Sequence, residues 1–201
     1  MRPEHIFFLP GAAGSPDFWR PAGERLATSA ERVYFGWPGY GSVPHDPTVR
    51  GLDDIVQRVL QRIEGPTALV AQSMGGIIAV RVALARPGSI THLVLCVTSG
   101  GIDMSALGAQ DWRAEFLAAN PAVPRWFIDD RSDYSAFLPA ITAPTLLLWG
   151  DADPISPVAA GERLNELLPN SRLVVIPGGM HDLASTHAAE VARLIDAHLE
   201  A

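Results

Sequence analysis

Six short runs rich in Val, Leu, Ile and Phe recur along the chain, at residues 5–9, 32–36, 67–71, 91–97, 144–149 and 172–176. Longer stretches with apolar residues at helical spacing lie between them, at about 17–28, 52–64, 74–85, 156–168 and 183–200. The clearest runs from Asp53 to Ile63. Its apolar residues fall at 55, 56, 59, 60 and 63, and Asp53 and Asp54 sit in the first turn, where the helix dipole favours a carboxylate. Val191, Leu194, Ile195 and Leu199 repeat the pattern near the carboxyl end. Strands apolar on both faces must be covered on both faces, so the alternation predicts a mostly parallel sheet of about six strands between two layers of helices. A chain of 201 residues is about one domain long, and 1–201 reads as a single α/β domain.

Residues 98–140 interrupt the rhythm. They hold helical fragments at about 106–119 and 133–138, no strand, and the aromatics Trp112, Phe116, Trp126, Phe127, Tyr134 and Phe137. An insertion between two strands of such a sheet is where a small helical cap would sit.

Composition narrows the function. Fifteen basic residues against 22 acidic ones give a net charge of −7, which argues against nucleic-acid and anionic-membrane partners. Every basic residue is Arg. Without Lys, the chain cannot form a Schiff base, a lysine-type phosphate loop or a Ser-x-x-Lys dyad. Its one cysteine, Cys96, lies in the apolar run Leu93–Val97 and reads as a core thiol. No His or Cys spacing suggests zinc and no Asp-rich loop suggests calcium, so neither metal nor cofactor is expected. The first apolar stretch, Ile6–Leu9, is too short for a signal-peptide core or a membrane span, giving a cytoplasmic expectation. The oligomeric state stays open.

The most informative stretch is Ala68-Leu69-Val70-Ala71-Gln72-Ser73-Met74-Gly75-Gly76, followed by an apolar helical run to Ala85. A buried strand ends at Ser73 and a buried helix begins at once. That placement puts the hydroxyl at the carboxyl edge of the sheet, where open α/β folds bind ligands. So tight a turn needs small neighbours two residues either side, and Ala71 and Gly75 supply them. An N-cap alone would not call for Gly75 and Gly76 in the first helical turn, where glycine costs stability. Ser73 therefore reads as a nucleophile.

With this small-x-Ser-x-Gly turn between strand and helix, the chain resembles the α/β-hydrolase superfamily. The resemblance extends to Pro10-Gly11-Ala12-Ala13-Gly14-Ser15 after the first strand, where the family carries its oxyanion loop. It implies the backbone N–H groups of Ala12 and Met74 as oxyanion donors, although Pro10 stands where the family often has His. Gly36-Trp37-Pro38-Gly39-Tyr40-Gly41-Ser42 partly echoes a second family loop, with Gly36 in place of its Asp. This stretch reads mainly as a Pro-Gly turn, with Tyr40 as a pocket-wall candidate. Trp112, Trp126 and Phe127 of the insertion are further pocket candidates.

A serine at neutral pH needs an imidazole to take its proton, and the imidazole needs a carboxylate on its other nitrogen. In the family's order both follow the serine. The strand 144–149 ends in Gly150-Asp151-Ala152-Asp153, which by resemblance gives Asp153 as the acid and leaves Asp151 to serve the turn. Asp103, after the strand 91–97, is a weaker alternative. The strand 172–176 ends in Pro177-Gly178-Gly179-Met180-His181, resembling the glycine-rich loop that carries the family's catalytic His. His5, His45, His92 and His198 have neither a strand end nor a glycine turn. The expectation is a cofactor-free serine hydrolase acting on a small carboxylic ester or thioester. The alternatives are a carbon–carbon bond hydrolase using the same residues and a non-catalytic ligand-binding member of the fold.

Overall fold

The computed structural model describes residues 1–200. Its strands are β1 (His5–Leu9), β2 (Glu31–Tyr34), β3 (Thr67–Gln72), β4 (Ile90–Cys96), β5 (Thr145–Gly150) and β6 (Ser171–Ile176). They form one sheet in the order β2-β1-β3-β4-β5-β6, and every neighbouring pair is parallel. All six predicted strands are present, with ends displaced by a residue or two. β3, β4 and β5 are buried almost end to end, as strands covered on both faces must be.

The helices are α1 (Arg20–Gly23), α2 (Leu52–Leu60), α3 (Met74–Ala85), α4 (Arg113–Ala119), α5 (Val158–Leu167), α6 (Leu183–Thr186) and α7 (Ala188–Leu199). The chain moves outward from β1 to β2 in one direction and from β3 to β4 in the other. Right-handed crossovers then place α1 and α3 on opposite faces. Accordingly α2 packs with α3, while α1 packs with α6 and α7. The reversal falls between β1 and β3, so the loops after these two strands flank the crevice in which open parallel sheets bind ligands.

Four helical stretches differ most from the sequence reading. The predicted helix 17–28 shortens to Arg20–Gly23 because side chains from other elements take over the next backbone groups. Arg32 donates to the carbonyls of Gly23, Leu26 and Thr28 at 2.8, 2.8 and 3.1 Å, and Asp196 accepts from Ala27 N–H. Residues 183–200 divide at His187 (φ −109°, ψ 31°) into α6 and α7. Between β4 and β5, the helix expected at 106–119 occupies only Arg113–Ala119, and in place of the one expected at 133–138 a turn at 135–137 leads into a 3₁₀ turn at Leu138–Ala140.

His92 on β4 and His198 on α7 lie edge to face, 5.2 Å apart, and each is 4% exposed. Burial lowers the affinity of both for a second proton and brings His198 down to about 4, with His92 and Arg172 adding repulsion. The unfolded chain binds that proton below about pH 6.5. The stability tied to neutral His198 is therefore complete above pH 6.5 and is lost as pH falls toward 4, amounting to roughly 3 kcal/mol. Urea unfolding across this window should show the loss. It should shrink in His198→Gln, which keeps a donor for the Pro144 carbonyl but does not titrate, leaving the part tied to His92.

Candidate active site

β3 ends at Gln72 and α3 begins at Met74, so Ser73 alone makes the turn. Its backbone sits at φ 51°, ψ −120°, a conformation that costs a residue bearing a Cβ on the order of 1–3 kcal/mol. The end of β4 and the residues just after it hold it there. Ser73 N–H donates to the Cys96 carbonyl at 3.1 Å, and Thr98 Oγ1 donates to the Ser73 carbonyl at 2.5 Å. Gly75 lets α3 approach the end of β1, since a Cβ there would lie 2.4 Å from the Leu9 carbonyl oxygen.

The Ser73 hydroxyl is 3.1 Å from His181 Nε2, and His181 Nδ1 is 2.7 Å from Asp153 Oδ2. The Asp153 side chain is fully buried, and its Oδ1 accepts from Ile155 N–H at 2.8 Å. With this carboxylate as acceptor, Nδ1 carries the ring proton and Nε2 is free to accept from serine. The structure thus joins the three residues, contributed after β3, β5 and β6, in one hydrogen-bonded chain that can move a proton off the hydroxyl.

Backbone contacts between the loops after β5 and β6 set this alignment. Ala152 N–H donates to the Gly179 carbonyl at 3.1 Å, and Asp151 Oδ1 accepts from Gly178 N–H at 2.7 Å. Asp151 therefore serves the neighbouring loop rather than its own turn. Gln72 Nε2 adds a third tie, donating to the His181 carbonyl at 3.0 Å. Sequence reasoning assigned no role to Gln72 or Thr98; each acts on a residue or loop that only the sheet order brings near. Asp103 is exposed and bonded to Ser105, and it makes no hydrogen bond to His181. Cys96 is buried, and burial beside Asp153 pushes its thiol well above the usual range.

Ser73 and His181 open onto a cavity of about 580 Å³, walled largely by residues 97–113 and 127–133. Trp112 and Phe127 line it; Tyr40 and Trp126 do not. Tyr40 is fully buried, donates its hydroxyl to the Pro124 carbonyl at 2.5 Å and meets Trp126 edge to face at 5.1 Å. This pair pins the 36–42 turn to the 98–140 segment, a packing role in place of the pocket role expected. Of the two expected oxyanion donors, Met74 belongs to the lining and Ala12 does not. Neither backbone N–H donates to a protein acceptor among the described residues. The loop bearing Ala12 still runs close to Ser73, because a Cβ on Gly11 would sit 3.0 Å from Ser73 Cβ. The wall carries Asp103, Asp111, Asp130 and Asp133 against Arg113 and Arg131. Among the described residues no group of three or more His, Cys, Asp or Glu could hold a metal ion, and no helix is long and apolar enough to cross a membrane.

A family model described as the alpha/beta hydrolase family matches residues 6–140, and a second, of the alpha/beta hydrolase fold, matches 119–188. The chain belongs to the α/β-hydrolase family. It is 25% identical over 218 residues to a pimeloyl-[acyl-carrier protein] methyl ester esterase of Nitrosomonas europaea, covering 86% of each chain. It is 24% identical over 242 residues to a 2-hydroxy-6-oxononadienedioate/2-hydroxy-6-oxononatrienedioate hydrolase of Cupriavidus pinatubonensis, covering 92% of this chain and 82% of that one. A Synechocystis sp. protein described as a non-heme chloroperoxidase is 45% identical over 74 residues, 36% of this chain, and the match spans only 25% of that protein's length. Among solved structures, a thermophilic esterase from Thermogutta terrifontis superposes with a TM-score of 0.79 at 22% identity, covering 97% of this chain and 89% of that one. This α/β hydrolase is an enzyme, and it shares its fold with a solved structure of low sequence identity.

Proposed function

We propose that this α/β hydrolase cleaves a small carboxylic ester or thioester through an acyl-enzyme on Ser73. The observation that carries the reading is the unbroken chain from Ser73 Oγ through His181 to the buried Asp153 carboxylate, at the wall of an open cavity. Ser73 Oγ attacks the acyl carbonyl as His181 Nε2 takes its proton, and Asp153 balances the imidazolium. The oxyanion is received by backbone N–H groups of Met74 and Ala12, which have no internal acceptor to give up. His181 then protonates the leaving alcohol or thiol, and later removes a proton from the water that releases the acid. Residues 98–140 form a small cap over this site within a single domain.

The relatives include an ester hydrolase and a hydrolase of a dienedioate, so two substrate classes fit the same three residues. The cavity wall favours the ester. Its four aspartates outnumber two arginines, and one of those, Arg113, is paired with Asp111 at 3.4 Å. A dicarboxylate would meet net negative charge there.

A fluorophosphonate that reports nucleophilic serines tests the mechanism. Intact mass should rise by one adduct that maps to Ser73 and is absent in Ser73→Ala. An unlabelled protein, or equal labelling of Ser73→Ala, would refute the mechanism.

A further inference from the structure

Local rules of chain conformation and hydrogen bonding are broken at three residues of the cavity wall. Ser73 and Val97, at φ 51° and 40°, are the two non-glycine residues with positive φ among the described residues. The mechanism above accounts for Ser73, and Val97 follows β4 directly beside it. Ser156 is the third. It is 2% exposed and its Oγ has no hydrogen-bond partner, yet the residue lies in the cavity lining next to Ile155.

The other hydroxyls of the wall are all occupied. Thr98 donates to the Ser73 carbonyl, and Ser99 accepts from Gly101 N–H. Ser105 donates to Asp103 and Ser132 to Asp130. A buried hydroxyl that bonds nothing destabilises a fold relative to alanine in the same place. Packing therefore does not explain serine at 156. A partner that arrives with the substrate does, since such rule-breaking positions concentrate where proteins bind and react.

We propose that Ser156 is a substrate-binding residue, its enclosed hydroxyl turning about the Cα–Cβ bond into the cavity to bond an uncharged polar group that the ester carries away from the scissile carbonyl. This rests on the ester-hydrolase reading. A hydroxyl, ether oxygen or amide satisfies Ser156, which can both donate and accept. A carboxylate does not suit the site, because the same wall bears Asp103, Asp130 and Asp133, and none of their carboxylates has a guanidinium nitrogen within 4.0 Å among the described residues. The substrate class is then a short oxygen- or amide-substituted ester, in preference to a plain fatty ester.

Ser156→Ala tests it on three p-nitrophenyl esters of similar size: butyrate, methoxyacetate and 3-hydroxybutyrate. Comparing variant with wild type on each substrate removes differences in intrinsic reactivity. The substitution should lower kcat/KM about tenfold, mainly through KM, on at least one of the two oxygenated esters, while butyrate stays within about twofold. The ligand-free protein should melt about 2–4 °C higher, since an orphaned hydroxyl has gone. Equal losses on all three esters, no loss on any, or a Tm that falls would overturn the assignment and leave ester hydrolysis by Ser73 standing. Failure of the wild type to turn over any ester, with no labelling at Ser73, would overturn both.

Discussion

Asp153→Asn is expected to leave the fold intact and to cut ester turnover by about 10⁴-fold. Asp153 is fully buried, with one oxygen accepting from Ile155 N–H and the other facing His181 Nδ1 at 2.7 Å. Asparagine has the same shape and retains an oxygen for Ile155, so packing barely changes. The NH₂ group then faces Nδ1, which must accept instead of donate. The ring proton moves to Nε2, and the nitrogen that should take the Ser73 proton already carries one. The imidazolium formed during attack also loses its counter-charge. Steady-state rates on a neutral ester, with thermal unfolding as a check on folding, measure both halves of the expectation. Turnover within tenfold of wild type would remove Asp153 from the mechanism. Asp103→Asn is the matched control: that carboxylate is exposed and satisfied by Ser105, so turnover should stay within a few-fold.

The sheet was legible because its information is local. A run such as Leu93–Cys96, apolar on both faces, has few places to go except a covered strand. The turn at Ser73 was legible for the same reason, since Ala71, Ser73 and Gly75 are adjacent in sequence and their steric demands act on one another directly. Helix ends were less legible where distant side chains decide them. Nothing between Glu24 and Thr28 announces that Arg32 from the next strand and Asp196 from the last helix take its backbone groups. The aromatics of 98–140 divide on the same principle. Trp112 and Phe127 face the cavity while Trp126 turns to Tyr40, a partition set by a contact across more than 80 residues of chain. Periodicity carries no trace of such a pairing.

The candidate site was readable as a list of residues and unreadable as a geometry. Ser73, Asp153 and His181 each stand at a strand end with a recognisable turn. What holds them within hydrogen-bond reach is a set of contacts between loops. Gln72 ties down the His181 carbonyl, Asp151 ties down Gly178, and Ala152 bonds to Gly179. Asp151 had a local role available in its own turn, and the distant one prevails because β5 and β6 run side by side and deliver both loops to the same edge.

Gly150→Ala probes that arrangement without touching any of the three residues. Gly150 closes β5, and a Cβ there would lie 2.0 Å from the Gly179 carbonyl oxygen and 2.3 Å from its carbon. Both are backbone atoms, so no side chain can swing aside. The loop 177–181 must retreat by about an ångström to reach an ordinary contact, and the bonds of Ala152 to Gly179 and Asp151 to Gly178 lengthen with it. His181 rides on that loop, and a misplacement of this size costs about 10²-fold in rate. Overpacking at the edge of the sheet should cost only about 1–3 kcal/mol of stability, leaving most of the protein folded at 25 °C. Gly178→Ala separates position from strain. Gly178 has φ +72° but open space where its Cβ would go, so alanine there should cost about 1–2 kcal/mol while turnover stays within a few-fold. If Gly150→Ala keeps turnover within threefold of wild type, the close approach of the two loops does not govern the placement of His181. If Gly178→Ala loses as much activity as Gly150→Ala, loop strain rather than displacement of His181 sets the rate.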